Sequence, residues 1–112
     1  MKTLDNWEKE LIKLGYRRYQ HHKQEVDAFY QRAVYGKNGE KLYFLNVELY
    51  DFNQFGRNKV SAAMESNLYL YKDDSAGFVV SRSIENGDIE STEKFFKNVY
   101  DELNCVPDIH NN

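Results

Sequence analysis

Near the amino terminus, apolar residues recur every three or four positions, the spacing that places side chains on one face of an α-helix. These residues are Leu4, Trp7, Leu11 and Leu14. Asp5 followed by Glu8 resembles a capping box, and Gly15 stands where a helix C-cap is expected. The pattern therefore predicts an N-terminal helix that ends near Gly15.

A second helical pattern lies near the carboxyl end of the chain. Its apolar stripe is Phe95, Val99 and Leu103, with Phe96 and Tyr100 beside it. Ser91 is the predicted N-cap, and Glu93 suits the positive end of the helix dipole. Pro107 marks the end of regular structure, so we predict that residues 105–112 form a frayed tail.

Between the helices, four runs rich in β-forming residues are separated by clusters of turn residues. The strands are predicted at residues 28–35, 42–52, 60–70 and 78–84, and the turns at 36–39, 53–58, 73–77 and 86–87. These connections are too short for crossover helices, so neighbouring strands must pair antiparallel. The prediction is an α+β fold of order α-β-β-β-β-α, with both helices on one face of a four-stranded sheet.

The predicted second strand is apolar on both faces, which is unusual for a sheet covered by helices on one side only. Its helix side would carry Tyr43, Leu45, Val47 and Leu49, joined by Leu68 and Leu70 of the third strand. Its other side would carry Phe44, Tyr50, Tyr69 and Tyr71, interleaved with Asn46, Glu48, Glu65 and Asn67. Tyrosine suits surfaces that are wet alone and buried on binding, so the first four are predicted to contact a partner protein or a second copy. The alternatives are that these tyrosines are ordinary β-formers, or that a bulge returns some of them to the core.

Length and composition indicate one globular domain spanning residues 1–112. The chain has 41% hydrophobic and 29% charged residues, six glycines and one proline, and we find no internal repeat or linker. It has no apolar run long enough to cross a membrane and no secretory signal pattern. A lone Cys105 cannot form an internal disulfide, which fits a reducing compartment, so the expected location is cytoplasmic.

Charge is distributed unevenly along the chain, whose formal net charge is −3. Residues 1–59 carry eleven basic against eight acidic residues, whereas residues 60–112 carry four against ten. The surface is two-sided in charge if the fold keeps these segments apart.

Residues suited to catalysis or metal binding are few. His21 and His22 are adjacent, and adjacent strand residues point to opposite faces, so they do not easily share a metal. His110 lies in the predicted tail, and Cys105 has no second thiol. Acidic pairs stand at 73–74 and 101–102, but such pairs are common in turns and at exposed helix ends, so they do not indicate a catalytic site. We find no phosphate-binding glycine loop, and expect no metal, no cofactor and no small-molecule substrate.

One segment interleaves aromatic and basic residues without an acid, as in proteins that contact phosphates and stack bases. Its candidate contacts are Tyr16, Arg17, Arg18, Tyr19 and Lys23. The acidic chain as a whole argues against nucleic acid. The sequence therefore favours a small non-enzymatic binding protein of the accessory or inhibitor type that engages another protein or itself. A single-stranded nucleic-acid-binding module is the alternative, and an enzyme with an unrecognised site the third possibility.

Overall fold

Two helices flank five strands in the computed structural model, which describes residues 2–21, 23–57, 59–70, 73–84 and 88–104, with backbone alone at 54, 69, 70 and 73–78. The elements are α1 (Leu4–Lys13), β1 (Arg17–Tyr19), β2 (Ala28–Tyr35), β3 (Lys41–Asp51), a short 3-10 helix (Phe52–Phe55), β4 (Val60–Leu70), β5 (Asp73–Ser83) and α2 (Ile89–Leu103). The strands form one antiparallel sheet in the order β1-β2-β3-β4-β5. The predicted α+β class is confirmed. Neither of the described helices is long and apolar enough to span a membrane.

The sheet has five strands where four were predicted, because β1 was missed. In β1, Arg17 pairs with Gln31 and Tyr19 pairs with Phe29. All three β1 side chains are exposed. A strand this short, with no buried position, shows no alternation of apolar and polar residues, and that alternation is the signal by which a strand is recognised.

The turn predicted at residues 73–77 is wrong, since these residues belong to β5. Leu70 already pairs with Asp73, after a register shift that begins at Leu68. Asp, Ser and Gly are typical of turns, but the last strand of an open sheet tolerates them because only one of its edges is paired. The predicted turn at 86–87 and the tail at 105–112 lie outside the described residues.

The N-cap residue of each helix lies earlier in the chain than the capping patterns indicated. Thr3 caps α1, because its Oγ1 accepts a hydrogen bond from the Asn6 N–H at 3.2 Å. Asp88, not Ser91, caps α2, since Asp88 Oδ1 accepts the Ser91 N–H at 3.0 Å. The C-terminal signal of α1 was correct: Gly15 follows the helix with φ of +95°, a conformation that L-residues with a Cβ rarely adopt.

Both helices pack on the same face of the sheet, as predicted. One continuous core includes the buried residues Trp7 and Leu11 of α1, Ile89 and Phe96 of α2, and Tyr30, Leu45, Val47, Leu49, Met64 and Leu68 of the sheet. The centre of the α2 stripe was misplaced, because Phe96 is fully buried whereas Phe95 is only partly buried beside the Arg82 guanidinium. Adjacent aromatic residues differ by only 100° around a helix, so spacing alone does not choose between them.

A polar contact inside this layer joins the two ends of the fold. Glu93 Oε2 of α2 accepts hydrogen bonds from the Tyr16 hydroxyl at 2.5 Å and from Arg32 Nη2 at 2.6 Å. The Arg32 and Glu93 side chains are 29% and 18% exposed. Burial, and then the hydrogen bond to Glu93, raise the pKa of Tyr16. The carboxylate therefore fixes α2 over β2 while it neutralises a partly buried guanidinium.

Replacing Glu93 with Ala is expected to lower the free energy of unfolding by about 2 to 3 kcal/mol, because Arg32 loses its neutralising partner; the loss is discounted for the partial exposure of the pair. Urea denaturation measures the change. In the matched double variant, Arg32→Met with Glu93→Ala, most of the loss should be recovered, since no unpaired charge remains. Equal losses in the single and double variants would show that the ion pair is not the cause.

Candidate functional site

The surface of the sheet opposite the helices, here called the outer face, is formed by the side chains that alternate with the core residues. On β3 these are Phe44, Asn46, Glu48 and Tyr50. Antiparallel pairing places β2 residues directly beside them, with Phe29 next to Glu48, Gln31 next to Asn46 and Ala33 next to Phe44. The outer face is therefore a mixed aromatic and amide surface.

The residues predicted to contact a partner are placed on this face as far as the structure describes them. Phe44 is 38% exposed, and Tyr50 is partly buried with its hydroxyl 3.3 Å from Glu48 Oε2. Burial, and then the negative charge of Glu48, raise the pKa of Tyr50. Tyr69 lies in β4 but its side chain is not described, and Tyr71 lies outside the described residues.

Part of the outer face is covered by the chain itself, which sequence reasoning missed. His21, in the loop between β1 and β2, packs edge-on against Phe29 with ring centroids 4.7 Å apart. Its Nε2 lies 3.4 Å from Glu48 Oε2, while its Nδ1 accepts the Lys23 N–H at 3.0 Å. Both ring nitrogens are thus engaged in holding the loop, and Glu48 is left only 7% exposed. No local sequence signal links a loop histidine to a carboxylate 27 positions later.

A pair of amide side chains occupies the next part of the outer face. Gln31 Nε2 donates a hydrogen bond to Asn46 Oδ1 at 2.8 Å. Within the described part of the chain, Gln31 Oε1 and Asn46 Nδ2 have no hydrogen-bond partner. The pair therefore presents a carbonyl oxygen that can accept beside an amide NH2 group that can donate.

A cleft of about 330 Å³ opens beside this amide pair. It is lined by Gln31, Lys41, Leu42, Tyr43, Phe44, Asn46 and Asn67. The ladder between β3 and β4 begins only at Asn46 paired with Glu65, so Lys41 to Leu45 have no β4 partner among the described pairs. Where the ladder stops, the Ser66 hydroxyl donates to the Phe44 carbonyl at 2.5 Å. The cleft therefore lies where the described pairing of β3 with β4 ends.

The five residues proposed to contact nucleic acid do not share one surface. Arg17 and Tyr19 lie on the outer face, because they pair with Gln31 and Phe29. Arg18 faces the opposite side, where Nη1 lies 3.6 Å from Glu8 Oε2. Lys23 is exposed in the loop. Tyr16 is only 2% exposed and donates to Glu93, so its predicted role as a base-stacking residue does not fit its place in the core.

A second cleft, of about 440 Å³, lies between β1 and the loop that follows it. Tyr19, His21, Asp27 and Phe29 are among its lining residues. Asp27 Oδ2 already accepts the Asp51 N–H at 2.6 Å, and His21 is held as described above. The polar groups that line this cleft are therefore largely engaged in holding the fold.

The described residues contain no group of three or more His, Cys, Asp and Glu side chains arranged to hold a metal ion. His22, Cys105 and His110 lie outside the described residues. The chemistry available on the outer face is thus aromatic contact, amide hydrogen bonding, the positive charges of Arg17 and of Lys41 beside Phe44, and the carboxylates of Glu48 and Glu65. Its target must be inferred from that chemistry, because no protein family, no curated protein and no solved structure matches this chain.

Proposed function

We propose that this protein is a non-enzymatic binding protein that engages a macromolecular partner through the outer face. The observation that carries the proposal is the exposed aromatic content of that face: Tyr19 is 49% and Phe44 38% exposed. A solvent-facing sheet surface is ordinarily polar, and aromatic side chains are enriched where surfaces become buried on association. Val79, 69% exposed on the outer face of β5, extends the apolar area.

Another protein, or a second copy of this chain, is the partner we propose. Tyrosine and phenylalanine give a large contact area with few rotatable bonds to immobilise, which is why they concentrate at protein interfaces. A net charge of −3 does not favour binding to a polyanion such as nucleic acid. Such a protein acts by occupying its partner, as inhibitors and accessory proteins do. A cytoplasmic location is part of the proposal, since a single cysteine suits a reducing compartment.

Single-stranded nucleic acid is the second candidate, and the pairing of β1 with β2 is the observation that favours it. This pairing places Arg17 beside Gln31 and Tyr19 beside Phe29, so a cation and two aromatic rings share the outer face. Such a combination can contact a phosphate and stack bases. The binding would weaken steeply as salt concentration rises, whereas an apolar protein interface would not.

Replacing Phe44 with Ala is expected to weaken partner binding by roughly 2 kcal/mol, the scale of an interface hot spot, while the free energy of unfolding changes by about 1 kcal/mol or less. Self-association is measured by analytical ultracentrifugation. The affinity for a protein captured from host lysate is measured by calorimetry with the purified pair.

Phe55→Ala is the matched control, since Phe55 is 71% exposed and lies in the 3-10 helix after β3 rather than in a strand of the sheet. It should leave binding unchanged. The proposal fails if the two variants weaken binding equally, or if Phe44→Ala has no effect on any association.

A further inference from the structure

We propose that the cleft beside Phe44 is a nucleobase-binding site, which accepts the base of a free nucleotide or of a single strand. The inference goes beyond a protein partner and does not require one. It depends on three features of the cleft: an ordered amide pair, an aromatic ring at its rim and a positive charge beside that ring.

The amide pair supplies hydrogen bonds of the kind that base edges need. Because Gln31 Nε2 is already bonded to Asn46 Oδ1, the two side chains are held together in one orientation. Gln31 Oε1 is then available as an acceptor and Asn46 Nδ2 as a donor. The amino group and ring nitrogen of adenine present the complementary donor and acceptor, the pattern that Asn and Gln amides recognise. Asn67 adds a third amide to the lining, with no partner among the described residues.

Phe44 supplies the stacking surface. Its ring is 38% exposed at the rim of the cleft. Phe44 lies two residues before Asn46 in β3, so both side chains are on the outer face. Aromatic side chains stack on bases irrespective of sequence, because every base has a π-face. A base that rests against this ring can turn its edge toward the amide pair.

Lys41 supplies the charge. Its Nζ lies 5.2 Å from the centroid of the Phe44 ring, and no carboxylate is paired with it in the described part of the chain. None of the lining residues that the structure describes is acidic, and Glu65 pairs with Asn46 across the ladder without being among them. The phosphate of a stacked nucleotide therefore meets an attractive rather than a repulsive group. At about 330 Å³ the cleft is within the range of small-ligand sites.

The test is a titration of the full chain with adenosine monophosphate, followed by two-dimensional ¹H–¹⁵N NMR. We expect the ligand to shift the backbone signals of residues 41–46. We also expect it to shift the side-chain amide signals of Gln31, Asn46 and Asn67. Phe44→Ala and Asn46→Ala should each weaken binding roughly ten-fold. Lys41→Gln should reduce the affinity for adenosine monophosphate to that for adenosine. Phe55→Ala, with its exposed ring elsewhere, should bind as the unaltered protein does.

Two comparisons identify the source of the base. A short oligoadenylate that binds at least about ten-fold more tightly than the mononucleotide indicates a single strand, and equal affinities indicate a free nucleotide. The proposal is overturned if neither ligand shifts the cleft signals at millimolar concentration, if ribose 5-phosphate binds as well as the nucleotide, or if the shifts lie in the other cleft. The ultracentrifugation and calorimetry above are carried out without nucleotide, so the two proposals can fail independently.

Discussion

Raising the pH from about 10 to about 12 is expected to lower the free energy of unfolding by about 4 kcal/mol or more, a large part of the roughly 5 to 15 kcal/mol by which a small domain is ordinarily stable. The cause is a set of tyrosines buried between the sheet and the helices. Burial is the largest cause that raises the pKa values of Tyr30 and Tyr43 to about 12, followed by the interaction with the Glu8 carboxylate for Tyr30 and by the negative charge of Asp101 for Tyr43. The pKa of Tyr16 is raised as well.

The sign follows from which state keeps its protons. In the unfolded chain these hydroxyls ionise near pH 10, whereas in the folded protein they stay neutral to about pH 12. Below pH 10 both states are protonated and the stability they contribute is fully present. As pH rises further the unfolded chain loses protons first, so the folded state loses stability, by about 2 kcal/mol at pH 12 for each of Tyr30 and Tyr43.

Urea denaturation at a series of pH values, with tyrosinate absorbance recorded alongside, measures this dependence. Tyr43→Phe is the informative variant, because it removes one ionising group while it retains the ring that lies 4.9 Å from the Tyr100 ring. Its loss of stability between pH 10 and pH 12 should be smaller by about 2 kcal/mol. An unchanged pH dependence in this variant would mean that Tyr43 ionises as readily folded as unfolded.

Phe96→Ala is expected to cost about 3 to 5 kcal/mol, the range for removing a large aromatic side chain from a well-packed core. The ring is fully buried in the contact between α2 and the sheet, where its removal leaves a cavity. Phe95→Ala is the neighbouring control and should cost about half as much or less, because the Phe95 ring is only partly buried.

Chemical denaturation of both variants gives the two free energies, and equal denaturant slopes ensure that they can be compared. A larger loss for Phe95→Ala would place Phe95 at the centre of the interface. The assignment of Phe96 to the centre of the buried stripe of α2 would then be incorrect, and the stripe predicted from spacing would be correct.

Local patterns predicted the fold well wherever a signal lies within a few residues. The side chains of the long strand β3 alternate between the helix-covered face and the outer face from Tyr43 to Leu49 as expected, and the turn at 36–39 is present. The signal failed for β1, which is too short to alternate, and for residues 73–77, whose turn-like composition lies in an edge strand. In both cases pairing with a neighbouring strand decided the structure.

The candidate site was only partly predictable. Strand parity placed Phe44 and Tyr50 on the outer face, but the contacts that shape the face join residues far apart in the chain. The Gln31 side chain of β2 hydrogen-bonds the Asn46 side chain of the neighbouring strand β3. The His21 ring, in the loop after β1, contacts the Glu48 carboxylate. Tyr16 belongs by sequence to an aromatic and basic segment, but it is buried in the fold. Its hydroxyl donates a hydrogen bond to Glu93, which lies 77 positions later in the chain. Such pairings depend on the completed sheet and leave no mark in spacing or composition.

The meander order of the sheet has a consequence for how the chain acquires its structure during synthesis. Every strand pairs only with its neighbours in sequence, so each hairpin can close as soon as its second strand leaves the ribosome. The helix-facing side of the sheet is different, because Phe96 and Ile89 come from residues that are translated after all five strands. Until α2 emerges, Leu45, Val47 and Met64 lack their principal cover on that side, and this is the interval in which a chaperone would have most to bind.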